Sequence, residues 1–276
     1  MKRIIVPIDF SSYANHAFDT AVKIASKKEA SITCLNVISS GLDWKNMSKA
    51  EKSKHQDILD QEAEATDKLK AFVLDKKIKN VPIETLVDIG VPSDKILETA
   101  ARQKAELIVI GAYGRGHQEG KFIGSNLQKV MRGADCAILA VKKTMMAKDF
   151  RKMAFASLFT ESSKPAFTRM LPIIHDLGTS VHFVYINSPS HFQNSAKIRT
   201  MMKDFSKGLK DLVIHQHVYN HDDAENGIIQ FCEENKIGYV GIASGNRKKS
   251  SSYQIGVTET VLFKSDLPVL SVKSEI

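Results

Sequence analysis

The chain has no apolar run of about 18 residues, the length a membrane-crossing helix needs, so none of its 276 residues is predicted to lie in such a span. The start of the chain holds two basic residues and then three apolar ones, Ile4, Ile5 and Val6, before Pro7 and Asp9 interrupt the run. That is too short for the apolar core of a secretory leader, and a cytoplasmic protein is the expectation. Cysteine is scarce. Cys34, Cys136 and Cys232 stand far apart with no C-x-x-C pair, which gives no zinc ribbon or thioredoxin-type site. All three lie in apolar segments, where a thiol is buried and unreactive. Aromatics make up only 7% of the residues, and the net charge of +8 arises from 39 basic residues interspersed with 31 acidic ones. The longest basic cluster is Arg247-Lys248-Lys249. A mixed, solvated surface of this kind is not a nucleic-acid stripe, although it helps to attract anionic small molecules.

What is present is an alternation of short β-branched runs and amphipathic helical stretches. Arg3 to Ile8 reads as a strand, and Ser11-Ser12 as a helix cap followed by Ala14, Ala17, Phe18, Ala21, Val22, Ile24 and Ala25 at helical spacing. Strands are predicted at Ser31 to Ile38, Ile83 to Val87, Leu107 to Ile110 and Ala137 to Val141. Helices are predicted from Glu51 to about Lys77, from Pro92 onward, and from about Gly124 to Arg132. Leu107 to Ile110 is wholly apolar, as suits a strand covered by helices on both faces. After Lys143 the plan repeats, with strands at Met153 to Leu158, Val181 to Ile186, Leu212 to Val218, Gly238 to Ile242 and Pro268 to Val272. Helices are expected at Ser162 to Leu177, Ala196 to Leu209, Asp222 to Asn235 and Val257 to Phe263. Asn226-Gly227 reads as a weak point inside the third of these. The segments Ala134 to Lys142 and Ser265 to Lys273 are visibly the same element, so the chain is a duplicated α/β protein. Its domains are expected at residues 1–143 and 148–276, each a doubly wound parallel sheet flanked by helices.

The fourth strand runs into Gly111-Ala112-Tyr113-Gly114, then nine residues, then Gly124-Ser125. Open α/β sheets bind ligands at this end of a strand. Gly111 and Gly114 let a ligand approach the backbone and permit positive φ. Gly124 and Ser125 open a helix whose free N–H groups and positive dipole end favour phosphate. Without Gly-Lys-Ser/Thr this is not a Walker loop. A dinucleotide turn would follow the first strand instead, so Gly114-Arg115-Gly116 is a chance half-match to that motif.

With Val6-Pro7-Ile8-Asp9-Phe10-Ser11 at the first strand, Asn36-Val37 at the second, Leu107 to Gly116 at the fourth, the nine-residue spacer and the ending Ala137 to Lys142, the chain resembles the universal stress protein family in its tandem form. The resemblance implies a five-stranded sheet of order 3-2-1-4-5 in each domain and an ATP pocket, with or without Mg²⁺, in the first domain only. Pro7, Asp9, Val37, Ile110, Gly111, Gly114, Gly124, Ser125 and Asn126 would form that pocket. Asp9 would lie near the adenosine, Val37 would meet the base through its backbone, and the glycines with Ser125 and Asn126 would hold ribose and phosphates. Asn126 departs from the small or apolar residue frequent in the family but still donates hydrogen bonds. Within the spacer, Lys121 either reaches a terminal phosphate or is a solvated loop lysine. The family also implies that the fifth strands pair antiparallel, within a pseudo-dimer of domains or across a homodimer.

In the second copy Ala156 and Leu158 replace Pro7 and Asp9, while Ala243, Asn246 and Val257 replace Gly111, Gly114 and Ser125. Gly256 alone survives. A copy that keeps strands and loses these residues implies that they serve a ligand in the first copy. The expectation is an ATP-binding stress-response protein whose conformation or assembly follows nucleotide binding, with no catalytic residue assigned and at most slow hydrolysis. The alternatives are a slow ATP hydrolase and an adaptor whose second domain binds another ligand or protein. His215-x-His217 on one strand face, with His182 or His221, is a metal candidate set against simple packing. The Arg247 to Ser252 loop is either an anion site or a polar loop. Trp44, in the segment Gly41 to Ala50, is either a lid over the base or a surface anchor.

Overall fold

The computed structural model describes residues 1–116, 122–244 and 256–273. The first half runs β1 (Arg3–Pro7), α1 (Ser12–Lys28), β2 (Ser31–Ser39), α2 (Lys49–Lys52), α3 (Gln56–Asp75), β3 (Ile83–Gly90), α4 (Pro92–Arg102), β4 (Leu107–Gly111), α5 (Ser125–Gly133) and β5 (Ala137–Val141). The second half repeats it with β6 (Lys152–Ala156), α6 (Lys164–Leu177), β7 (Ser180–Asn187), α7 (Ser195–Phe205), β8 (Ile214–Asn220), α8 (Ala224–Glu234), β9 (Tyr239–Ser244), α9 (Val257–Lys264) and β10 (Val269–Lys273). The predicted helix from Glu51 to Lys77 is two helices. Ser48 and Glu51 form a capping box that starts a single turn early, and the chain then bends so that Ile58 of α3 joins Ile38, Ile89 and Trp44 in a small cluster of its own.

The strands form one sheet of order β3-β2-β1-β4-β5-β10-β9-β6-β7-β8. Each half therefore has the order 3-2-1-4-5, parallel throughout, and the halves meet through one antiparallel pair. In that pair Val269 faces Ala140, Leu270 faces Leu139 and Ser271 faces Ile138. The sequence leaves open whether the fifth strands join within the chain or between chains; here they join within it. Neither fifth strand is an exposed edge.

Alternation along the strands sends Ile4 and Val6 to one face and Ile5 to the other. Two cores result, and each crosses both halves. Phe18 of α1, Leu69 of α3, Phe167 of α6 and Met202 of α7 lie in one. Ile96 of α4, Leu127 of α5, Phe231 of α8 and Val261 of α9 lie in the other. Cys34 and Cys232 are buried and Cys136 is partly so; burial pushes the first two thiols up to about 12 and the third to about 11. These thiols stay protonated and inert.

The turn after β1 reverses the chain through a left-handed residue, Phe10 at φ 64°, and Phe159 after β6 repeats it at φ 53°. Both halves share this strained turn, so it belongs to the fold rather than to a ligand. Ser11 then caps α1, its hydroxyl accepting from Ala14 N–H at 3.1 Å. At the seam between halves, the Ser271 hydroxyl is buried and makes no hydrogen bond among the described residues. Ser271→Ala removes an unpaired polar group from the seam and is expected to stabilise the chain by about 1 kcal/mol, read as a higher urea midpoint at unchanged slope.

Candidate functional site

A cavity of about 440 Å³ opens at the C-terminal ends of β1, β2 and β4, within the range of roughly 300–1,000 Å³ usual for small-molecule sites. Pro7 and Asp9 line it from the end of β1, Val37 from β2, and Ile110 with Gly111 from β4. Gly114, Gly124, Ser125 and Asn126 line it from the loop and the start of α5. The structure thus brings together all nine residues singled out in the sequence. Gly124 N–H donates to Ala112 O at 3.0 Å, joining the two limbs of the loop. Among the described residues no side chain caps α5, and its first turn holds no acidic residue. Its leading N–H groups and positive dipole end therefore remain available to an anion. Asp9 is the single carboxylate among the described lining residues.

The glycines have other reasons than the sequence suggests. Neither Gly111 nor Gly114 has positive φ. A Cβ on Gly111 would stand 2.8 Å from the backbone carbonyl carbon of Tyr13, so this glycine lets β4 pass the start of α1. A Cβ on Gly114 would meet Asp9 Oδ2 at 2.9 Å. Gly124 needs neither allowance: its nearest contact would be an ordinary 3.6 Å.

Asp9 is held firmly. Its Oδ1 accepts from Ser11 N–H at 3.0 Å and its Oδ2 from Arg115 N–H at 2.7 Å. The Arg115 guanidinium donates twice to the Asp9 carbonyl, at 3.0 and 2.6 Å, and lies 5.9 Å from the Phe10 ring centroid. Asn36, buried on β2, donates to Ile8 O at 2.6 Å and fixes the end of β1. Arg115 and Phe122 are lining residues that the sequence reading did not select. The apolar pair Phe122-Ile123, closing a polar spacer just before Gly124, is the signal that marks them as inward-facing. His117, Gln118, Glu119 and Lys121 lie outside the described residues, as do Asn246 and the Arg247 to Ser252 loop.

Trp44 does not line this cavity. It packs with Ile38, Ile58 and Ile89, with Lys52 Nζ 5.6 Å from its ring centroid. It is an anchor for the segment after β2.

Residues 1–142 match the family model described as the Universal stress protein family. The chain belongs to this family. A universal stress protein of Methanocaldococcus jannaschii is 31% identical over 150 residues, covering 51% of this chain and 82% of its own length. A universal stress protein structure from Archaeoglobus fulgidus covers 98% of both chains with a TM-score of 0.67 at 17% identity. A Pseudomonas aeruginosa structure of unknown function covers 99% of this chain and 93% of its own, again with a TM-score of 0.67, at 16% identity. The likeness of these two structures is one of fold.

The second universal stress protein half is built differently at the corresponding edge. Leu158, exposed, stands where Asp9 stands. Ile186, matched to Val37 by register, packs against α8 at Gly227, where any Cβ would lie 2.7 Å from Ile186 Cγ2. Gly227 is thus a packing requirement rather than a weak point. At the start of α9 the Glu259 carboxylate accepts from Gly256 N–H at 2.9 Å. It makes there the glutamate half of a capping box, which α5 lacks among the described residues.

Among the described residues no group of three or more His, Cys, Asp or Glu side chains is arranged to hold a metal ion. His182 Nδ1 and His217 Nε2 share a hydrogen bond at 3.0 Å, and the His215 ring centroid lies 4.7 Å from that of His182. The three imidazoles pack on one another. Burial, with help from His217 and His215, pulls His182 down to about 4 from its usual 6.5.

Two predictions follow from these contacts. Gly111→Ala is expected to cost about 1–3 kcal/mol through overpacking against Tyr13, whereas Gly124→Ala stays within about 0.5 kcal/mol; equal urea midpoints for the two variants would contradict this assignment. The depressed pKa of His182 means that the unfolded chain binds a proton the folded chain refuses. Its stabilising contribution is complete above pH 6.5 and is lost as pH falls toward 4. His182→Gln should therefore flatten the stability profile between pH 6.5 and 4 relative to the parent, measured by urea unfolding at several pH values.

Proposed function

We propose that residues 1–143 form an ATP-binding domain, and that nucleotide occupancy sets the conformation or assembly of the protein in a stress response. The observation that carries this reading is the open start of α5, which faces the same cavity as Gly111, Gly114 and Asp9. Phosphates fit the α5 end through backbone N–H groups, the Ser125 hydroxyl and the Asn126 amide, with or without Mg²⁺. Apolar walls at Val37 and Ile110 suit the base. Binding rather than rapid turnover is favoured, because Asp9 already accepts two backbone hydrogen bonds and belongs at the nucleoside end. Phosphoryl transfer to water needs a group that positions that water beside the terminal phosphate.

In residues 148–276, the Glu259 carboxylate at the start of α9 argues against an ordinary ATP site there. A specific observation favours an adaptor role for this domain. Leu158 and Phe192 are exposed after β6 and β7, Phe192 by 69%, and such apolar tips suit a protein partner. Since β5 and β10 pair within the chain, self-assembly into a homodimer would use other surfaces.

Native mass spectrometry of freshly purified protein is expected to show ATP, one molecule per chain. Gly114→Val, which drives a side chain into Asp9, should lower ATP affinity at least about tenfold, or ~1.4 kcal/mol. Unchanged nucleotide content in that variant would sink the assignment of the loop.

A further inference from the structure

The wall of the cavity is backed by the other half of the molecule. Phe122 lines the cavity just before Gly124, and its ring centroid lies 5.2 Å from that of Phe263, at an interplanar angle of 45°. Phe263 belongs to the last turn of α9, in the second half. Tyr113 lines the cavity from the other limb of the loop, and Lys142 Nζ sits 5.4 Å from its ring centroid. The same ammonium donates to Phe263 O at 3.0 Å. One residue of α9 therefore reaches both limbs: its ring supports Phe122, and its carbonyl, through Lys142, supports Tyr113.

Each of these contacts is physically consequential. Aromatic pairs add to simple burial through their ring geometry. A cation at the carboxyl end of a helix is favoured by the dipole, and Lys142 occupies that place on α9. Burial lowers the Lys142 pKa while Asp266 opposes the shift, so this half-buried ammonium depends on its neighbours. At the opposite end of α9, Glu259 pairs with Arg132 of α5 at 3.3 Å. The helix is thus tied to the glycine loop at its carboxyl end and to the last turn of α5 at its start.

We propose that α9 is a positioning element for the nucleotide site of the first half, with Phe263 holding the two limbs of the glycine loop at the spacing that a bound nucleotide uses, and that occupancy is transmitted to α9 by the same contacts. The proposal rests on the reading of the cavity as an ATP site. Linkage makes it reciprocal: whatever factor α9 adds to ATP affinity, bound ATP returns as stability of α9.

The test uses the full chain, stripped of co-purified nucleotide and checked empty by mass spectrometry, with Mg-ATP as the probe, isothermal titration calorimetry, and amide hydrogen exchange over residues 257–264. Phe263→Ala is expected to weaken ATP binding roughly 3- to 10-fold. Phe263→Tyr, which keeps the ring, should stay within about twofold of the parent, and Val213→Ala, an exposed side chain remote from these contacts, should bind as the parent does. ATP should slow exchange in α9 of the parent and do so less in Phe263→Ala. A purely architectural role for Phe263 would lower the unfolding midpoint without removing this ATP-dependent protection. Should Phe263→Ala fold poorly, Lys142→Met leaves the ring pair intact and is expected to weaken ATP binding about 2- to 5-fold through the lost charge-assisted hydrogen bond. Parental affinity in a folded Phe263→Ala, or α9 exchange indifferent to bound ATP, overturns the proposal while leaving the ATP site in place. A parent chain that takes up no ATP overturns both, and is recognised by the absence of heat in every variant.

Discussion

The antiparallel pairing of β5 with β10 is the contact on which the rest depends. Two parallel sheets of five strands would each end in an edge of unpaired N–H and C=O groups; hydrogen bonding between Leu139 and Leu270 and their neighbours converts both edges into the middle of one sheet. Because this pair alone is antiparallel, the strands of the two halves run in opposite directions. The edge that carries the cavity in the first half and its counterpart in the second face opposite ends of the sheet. The same pairing brings α5 and α9 to one face, where Arg132 meets Glu259 and Phe263 meets Phe122. The cores are likewise continuous across the seam, so the halves do not behave as beads on a string.

The site is held together by contacts within the protein itself. Asp9 is gripped by two backbone amides, and its own carbonyl by Arg115. Gly111 and Gly114 are the residues that allow this convergence, one by yielding to Tyr13 and the other to Asp9. These contacts tie the glycine loop to the turn after β1 through Asp9 and Arg115. They also separate the functions of the three glycines: two bring protein segments together, and only the third stands at a helix start.

The strands, the duplication and the loop residues Gly111, Gly114, Gly124 and Ser125 are legible as local patterns, whereas the strand order and the places of Pro7, Asp9, Val37, Ile110 and Asn126 follow from the family resemblance. Apolar runs such as Leu107 to Ile110 specify strands, and Gly124-Ser125 after a fixed spacer specifies a helix start near a strand end. The break at Ser53 to His55 is not legible in this way. The charged, helix-forming residues on either side continue the pattern through it, and only the pull of Ile58 toward Trp44 and Ile89 bends the chain. The contacts of Phe122 with Phe263 and of Lys142 with the Phe263 carbonyl are invisible for a related reason: they join residues far apart in sequence across a seam whose partner strand the sequence leaves open. The histidines show the opposite limit, since His215-x-His217 is obvious as a motif while the shared hydrogen bond that defines its chemistry depends on His182 of the neighbouring strand.

Glu259 carries a consequence for how the two halves respond to solution conditions. Its carboxylate is covalently tethered at the start of α9, so its effective concentration there is set by chain geometry and not by metabolism. In mass-action terms the tethered carboxylate competes with any phosphate for that helix end at every phosphate level. Under the proposed ATP reading, one half would titrate with the nucleotide pool and the other, joined to it through a common sheet, would not.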